Sequence, residues 1–360
     1  MVPLRCDVRH LVADSSWPLR LPAPGASTAS TLDRVTAFPG VRLHVVSGKG
    51  GTGKTTVAGA LAIALASGGR KVLLAEVEGR GGLAQLFDTK PQGYTEHRLA
   101  SAPEGGEVWG LAVDPEEALL EYLEMFYKLR RAGSALKRLG AIDFATTVAP
   151  GMRDVLLTGK VMEATRRSTA GGRPVYDAVV LDAPPTGRIT RFLNVNAEVA
   201  GLAKVGPIHG HAQQVMSVIA SPLTAVHLVS LLEEMPVQET VDGVAELRGA
   251  GLRVGGLFIN MVRPAKLPAK ALAEAKNGTL DRAAISKVLA GVGLAVDDAL
   301  FDGLALEARD RAERVALESS ERKELAALGL PTVELPLVPD LMDVGAVYQL
   351  AELIREQVLT

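Results

Sequence analysis

An α/β fold with a mostly parallel, doubly wound sheet and an associated helical subdomain is what this 360-residue chain predicts, on three observations. Short apolar runs rich in Val, Leu and Ile alternate with helix-forming stretches along most of the chain, as parallel strands covered on both faces do. A glycine-rich loop separates the first such strand from the first helix. The other loops that carry polar chemistry, at 78–82, 182–188 and 260–264, also follow strands, and ligands in such sheets sit at the strands' carboxyl ends. One site is expected to draw on all of them.

In order along the chain, residues 41–47 (VRLHVVS) form a short buried strand and residues 57–66 (VAGALAIALA) an Ala/Leu-rich helix just after the loop. Residues 71–77 (KVLLAEV) are a second buried strand, running into Glu78-Gly79-Arg80-Gly81-Gly82, a loop. A third strand at 108–113 precedes Asp114, which caps a helix, and Pro115, which suits its first position. In that helix Leu119, Tyr122, Leu123 and Phe126 recur at helical spacing to about Arg131, with Met125 and Leu129 widening the stripe. Helices at 152–167 and 189–204 flank a strand at 176–181. The second half repeats the alternation, with strands at 225–230, 254–259 and 332–335. Its helices lie at 237–249, over a long region from 269 to 328, and at 344–358. Residues 40–360 therefore read as a single domain, with helical subdomain segments near 114–170 and 189–222. Residues 1–39, with the run LPAPGASTAS, read as a disordered extension or the product of an early start codon.

Composition narrows the class. Hydrophobic residues at 48%, charged residues at 22% and a net charge of -2 fit an ordinary globular protein. No Lys/Arg run with interleaved aromatics appears, so nucleic acid is not an expected ligand. The single cysteine, Cys6, cannot build a disulfide framework or a cysteine-based zinc site within one chain. The apolar stretches are too short or interrupted to span a bilayer, and a reducing cytoplasm is the expected location.

The run Gly48-Lys49-Gly50-Gly51-Thr52-Gly53-Lys54-Thr55-Thr56 meets the pattern G-x-x-x-x-G-K-[ST]. Its glycines let the backbone turn tightly and aim N–H groups at phosphate oxygens, while Lys54 supplies a point charge and Thr55 a hydroxyl ligand for magnesium. Strand, loop and helix N-terminus follow in the order an anion site needs. Asp182 ends the apolar strand VVLD, where a phosphate-loop enzyme places the carboxylate that holds the magnesium shell; the alternative is a helix cap. The next residues, Ala183-Pro184-Pro185-Thr186-Gly187-Arg188, suit a loop that senses the γ-phosphate. Lys49 has no task in an ordinary phosphate loop. A lysine there defines the deviant form, in which it reaches a nucleotide held by a facing subunit and neutralises charge in the transition state. The plainer reading is a solvated loop lysine.

On these residues the chain resembles the ArsA-type ATPases, the family of arsenical pump-driving ATPases and of targeting factors for tail-anchored membrane proteins. The resemblance spans most of residues 41–350 and implies a SIMIBI-like phosphate-loop fold. Gly48 to Thr56 is similar to the family's deviant loop, Glu78 to Phe87 occupies its first switch, and Asp182 to Leu193 (DAPPTGRITRFL) resembles its second. Pro150-Gly151, Glu239-Thr240 and Phe258-Ile259-Asn260 are similar to further landmarks. The resemblance implies that Asn260 contacts adenine and that Leu335-Pro336-Leu337 lines the same pocket, so the nucleotide is ATP, with Mg2+. An asparagine offers both the donor and the acceptor that an adenine edge requires.

Departures shape the expectation. The family's first switch begins Asp-Pro-Ala-His and its Asp positions water; here Glu78, Gly79, Arg80 and Gly81 stand there, so Glu78 takes that role and hydrolysis is expected to be slow or partner-dependent. Gln85 and Arg153 replace acidic residues, and Arg80 admits two readings, a phosphate contact and an exposed loop charge. The cysteines through which family members bind zinc or sense arsenite are absent, and the chain more closely resembles the ArsA-like "anion-transporting" ATPases of actinobacteria, which carry the same glutamate-bearing first switch and lack these cysteines. Met125, Met152, Met162, Met216 and Met235 admit either an apolar client groove or ordinary core packing, and His209 and His211 read as a loop pair without metal. The implied protein is a magnesium-dependent ATPase working as a nucleotide-switched homodimer, or heterodimer with an ArsA-like paralogue, that binds a client or partner. The alternatives are a weakly hydrolysing regulatory subunit and a targeting chaperone for hydrophobic or membrane-associated clients.

Overall fold

Among the described residues, eight strands make one sheet in the order β3-β4-β2-β5-β1-β6-β7-β8. They are β1 (Leu43–Gly48), β2 (Lys71–Glu76), β3 (His97–Ala102), β4 (Gly106–Ala112), β5 (Ala178–Asp182), β6 (Thr224–Ser230), β7 (Val254–Val262) and β8 (Thr332–Pro336). The computed structural model describes residues 38–79, 81–90, 93–127, 151–202, 207–264, 266–338 and 342–359, all within one compact unit, Thr36–Thr360. Residues 1–37, Arg80, Leu129, Arg131 and Pro150 lie outside the described residues, as do the side chains of Tyr122, Leu123, Met125 and Phe126.

Every pairing is parallel except β3 with β4. The sequence reading lacks β3, because HRLASA has no apolar run: it is a half-buried edge strand, turned back onto β4 by the tight turn Pro103–Gly105. Eleven helices are described: α1 (Lys54–Ala66), α2 (Gly82–Leu86), α3 (Pro115–Tyr127), α4 (Met152–Arg166), α5 (Thr186–Leu202), α6 (Pro207–Ile219), α7 (Glu234–Gly249), α8 (Ala269–Asn277), α9 (Arg282–Ala290), α10 (Asp298–Ala326) and α11 (Val344–Ile354). The expected continuous helical region from 269 to 328 is three helices. Gly278 ends α8 in the left-handed conformation, and the Asp281 and Asp297 carboxylates cap α9 and α10 through the Ala284 and Leu300 N–H groups.

Alternation along the strands sorts two cores. Val46, Val72, Leu74 and Val180 face α1 and α11, whereas Val45, Leu73, Val179 and Leu181 face α4, α5 and α7. Helix α1 is buried on every side from Val57 to Ala66, which is why it carries no polar face. The chain passes from β1 to β2 two places away, goes outward to β4, and returns to fill the gap with β5 before crossing to β6. Connections therefore diverge at the carboxyl end of β1, the crevice where such sheets bind ligands.

Beneath that crevice His44 and His227 are fully buried on adjacent strands, their rings stacked and joined by a 3.0 Å hydrogen bond between His44 Nδ1 and His227 Nε2. Burial lowers both, His44 from 6.5 to about 4. The native rings stay neutral while the unfolded chain takes up protons below 6.5, so their contribution is lost as pH falls from 6.5 to about 4, about 3 kcal/mol for His44 alone. Because carboxylates titrate in the same window, the informative quantity is a difference. Urea unfolding should show His44→Gln gaining on the wild type as pH falls through that range, and a pH-independent gap would refute the assignment.

Candidate nucleotide site

The loop between β1 and α1 is closed by its own groups. The Lys49 carbonyl accepts hydrogen bonds from Thr52 N–H at 3.3 Å, Thr52 Oγ1 at 2.9 Å and Lys54 Nζ at 3.4 Å. Two glycines are required by contact. A Cβ on Gly48 would lie 2.3 Å from the Val229 carbonyl oxygen, and one on Gly53, at φ 83°, would lie 2.4 Å from Asn260 Nδ2. No side chain caps α1, so its first N–H groups face the loop's interior as an anion site.

Strand order and parity bring the acidic groups together. β5 lies between β1 and β2, with Asp182 in register with Val46 on one side and Glu76 on the other. Both carboxylates follow strand positions that face α1, whose second residue is Thr55. Thr55 Oγ1 donates to Asp182 Oδ2 at 2.6 Å, and the Gly82 N–H donates to Glu76 Oε1 at 3.0 Å. Burial is the main cause that raises the Asp182 carboxyl to about 6; the Thr55 hydrogen bond opposes it, and Glu76 adds to it. Two buried carboxylates beside a hydroxyl form a hard-oxygen donor set that suits magnesium. Glu76 was not among the expected site residues. Its signal, a carboxylate closing a buried strand, is the one that marks Asp182.

Glu78 follows β2 and lines a recess of about 190 Å³ with Arg153, Asp154, Pro184 and Arg188, on the side of α4 and α5. Arg188 lies 3.8 Å from Asp154, so the segments after β2 and β5 and the start of α4 meet there. The Ser47 hydroxyl donates to the Pro184 carbonyl at 2.6 Å. Helix α5 begins at Thr186, three residues before the expected start, because Arg188 N–H bonds the Pro185 carbonyl at 2.8 Å and closes a first turn directly after the proline pair. Gly187 is thus a helical residue.

Lys49 Nζ pairs with Glu239 Oε1 of α7 at 2.8 Å, both partly exposed. Asn260 is buried at the end of β7 and donates Nδ2 to the Thr52 carbonyl at 2.9 Å, bracing the loop. The Leu337 N–H bonds the Val262 carbonyl at 2.9 Å, which sets the turn after Pro336 beside the end of β7. Met162 is a core residue, Met216 packs on that core, and Met235 is exposed on α7, so these three line no common groove. His211 packs against Gly159 of α4.

Comparison with known proteins agrees with this geometry. Residues 41–223 match the family model for the anion-transporting ATPases. The chain is 49% identical to the Mycobacterium tuberculosis protein ATPase BagA, over 93% of this chain and 98% of that protein. It is 28% identical to ATPase GET3 of Kluyveromyces lactis, over 60% of this chain and 71% of that protein. To the arsenical pump-driving ATPase of Escherichia coli it is 26% identical, over 61% of this chain and 39% of that protein. A nucleotide loop built on β1, a carboxylate delivered by β5 and a match of this extent lead to one conclusion: the chain belongs to the anion-transporting ATPase family, the ArsA ATPases, and is an ATP hydrolase.

Proposed function

We propose that the protein is a magnesium-dependent ATPase whose nucleotide-bound form is a dimer, with a second copy or with an ArsA-like paralogue, and that the nucleotide state controls binding of a client or partner. The observation that carries this reading is the position of Lys49, held at the surface by Glu239 and not by the carboxylates facing its own loop. An exposed ion pair is worth about 0–1 kcal/mol, so a facing triphosphate competes easily for that lysine.

In this reading the loop amides from Gly50 to Thr56 cradle phosphate oxygens, and Lys54 leaves the Lys49 carbonyl for the β- and γ-phosphates. Magnesium, held by Thr55 and Asp182 or through its water shell, offsets the charge on the phosphates. Glu78 orients the attacking water, Lys49 neutralises charge on the opposing nucleotide, and Asn260 with the turn at Pro336 holds adenine. Asn260 keeps its Oδ1 and a second amide hydrogen beyond the bond to Thr52. Loss of phosphate releases the segments after Glu78 and Asp182, and the recess they share with α4 passes that change to the helices α3 to α6, where a hydrophobic or membrane-associated client binds. No described helix is long and apolar enough to cross a membrane, and no nucleic-acid role is proposed.

The test is a light-scattering mass with magnesium and a nonhydrolysable ATP analogue. The mass should double for the protein alone, or only on adding the paralogue, which favours the weakly hydrolysing regulatory subunit suggested by Glu78. A mass unchanged in both cases would reject the dimer.

A further inference from the structure

Glu76 is 3% exposed, at the last position of β2, in register with Asp182 of β5. Two adjacent buried carboxylates repel each other and lose hydration, a combination that persists only with compensation. The Gly82 N–H supplies one hydrogen bond to Glu76 Oε1. The space between this carboxylate and the phosphate loop is narrow: a Cβ on Gly82 would sit 3.5 Å from Glu76 Oε1, 3.7 Å from Thr55 Oγ1 and 3.2 Å from Thr55 Cγ2. Glu76 Oε1 and Thr55 Oγ1 therefore both border Gly82, and Thr55, at the start of α1, in turn bonds Asp182, the strand neighbour of Glu76.

Building on the magnesium-dependent ATPase reading, we infer that Glu76 is a second carboxylate for the divalent cation accompanying the nucleotide, acting with Thr55 and Asp182. It is a positioning residue, since it acts on phosphate only through the cation or its waters. It also ties the cation to the first switch, because Glu76 Oε1 accepts the N–H of Gly82, at the start of α2. The chain thus places a carboxylate on each of two neighbouring strands, Glu76 and Asp182, where one at β5 was expected.

Glutamine at 76 separates the two roles, since it keeps an acceptor for Gly82 and removes the charge. Titrating a nonhydrolysable ATP analogue in EDTA, in Mg2+ and in Mn2+, with the bound Mn2+ signal followed by electron paramagnetic resonance, reads the cation directly. The wild type should gain affinity on adding metal. Glu76→Gln should lose about tenfold or more of that gain, with its EDTA affinity kept. Gly82→Ala, which sets a methyl between Thr55 and Glu76 and leaves both charges, should lose part of the gain as well. A full metal-dependent gain in Glu76→Gln would overturn this inference alone and leave Glu76 as a tether for Gly82. A wild type with no gain would overturn the magnesium reading and this inference with it.

Discussion

Lys49→Ala is expected to lower ATP turnover by about a thousandfold, the range for losing a cationic group supplied across an interface, while nucleotide affinity of the single subunit stays within a few-fold of wild type. Lys49 reaches Glu239 and not the groups on its own side of the loop, so its removal leaves the cradle of amides, Lys54 and the Thr55–Asp182 pair intact. Lys54→Ala differs in kind, since it removes the cation that lies within the loop. Single-turnover hydrolysis beside equilibrium nucleotide titration separates the two cases. Turnover within threefold of wild type would mean that Lys49 is a surface lysine serving only the ion pair with α7.

Asp182→Asn should have opposite effects on activity and on stability. Turnover with magnesium should fall at least about a hundredfold, in line with the loss of one preorganised charge-stabilising group. Stability in EDTA should rise. A carboxyl lifted from 3.8 to about 6 costs the folded state about 3 kcal/mol above pH 6, and the cost fades as pH falls from 6 through 3.8, below which both states are protonated. The asparagine amide carries no charge to bury, and its oxygen still accepts from Thr55. Melting of both proteins in EDTA at pH 7.5 and 4.5 checks this: the variant should be the more stable at 7.5 and its advantage should shrink at 4.5. A less stable variant at pH 7.5 would show that Lys54 and the Thr55 bond already offset the burial of Asp182. This trade of stability for function is common at catalytic sites.

What could be read in the residues depended on whether the signal was local. The phosphate loop, the strand and helix on either side of it and Asp182 each carry their pattern within a dozen residues, and the structure has strands and helices where those patterns lie. Edge strand β3 escaped because its hydrogen bonds come from β4 and its side chains are only half-buried, so it needs no apolar alternation. The breaks between α8, α9 and α10 were marked by Gly278, Asp281 and Asp297, but helical propensity across the whole region outweighed them in the reading. Glu76 was hidden by a strand drawn one residue too long, which made it look interior. The Lys49–Glu239 pair and the bracing of Thr52 by Asn260 join residues far apart in the chain, and only the strand order brings them together. The roles given to Glu78, Asn260 and Pro336 came from resemblance to a family and stand as proposals.

The hydrogen bond from Ser47 to the Pro184 carbonyl has a mechanical meaning. It fastens the first two residues beyond Asp182 to the rigid centre of the sheet, so this segment cannot drift as a floppy strap. Helix α5 begins two residues further on, at Thr186, so any movement of its start relative to β1 would have to be taken up at the junction of Pro184 and Pro185.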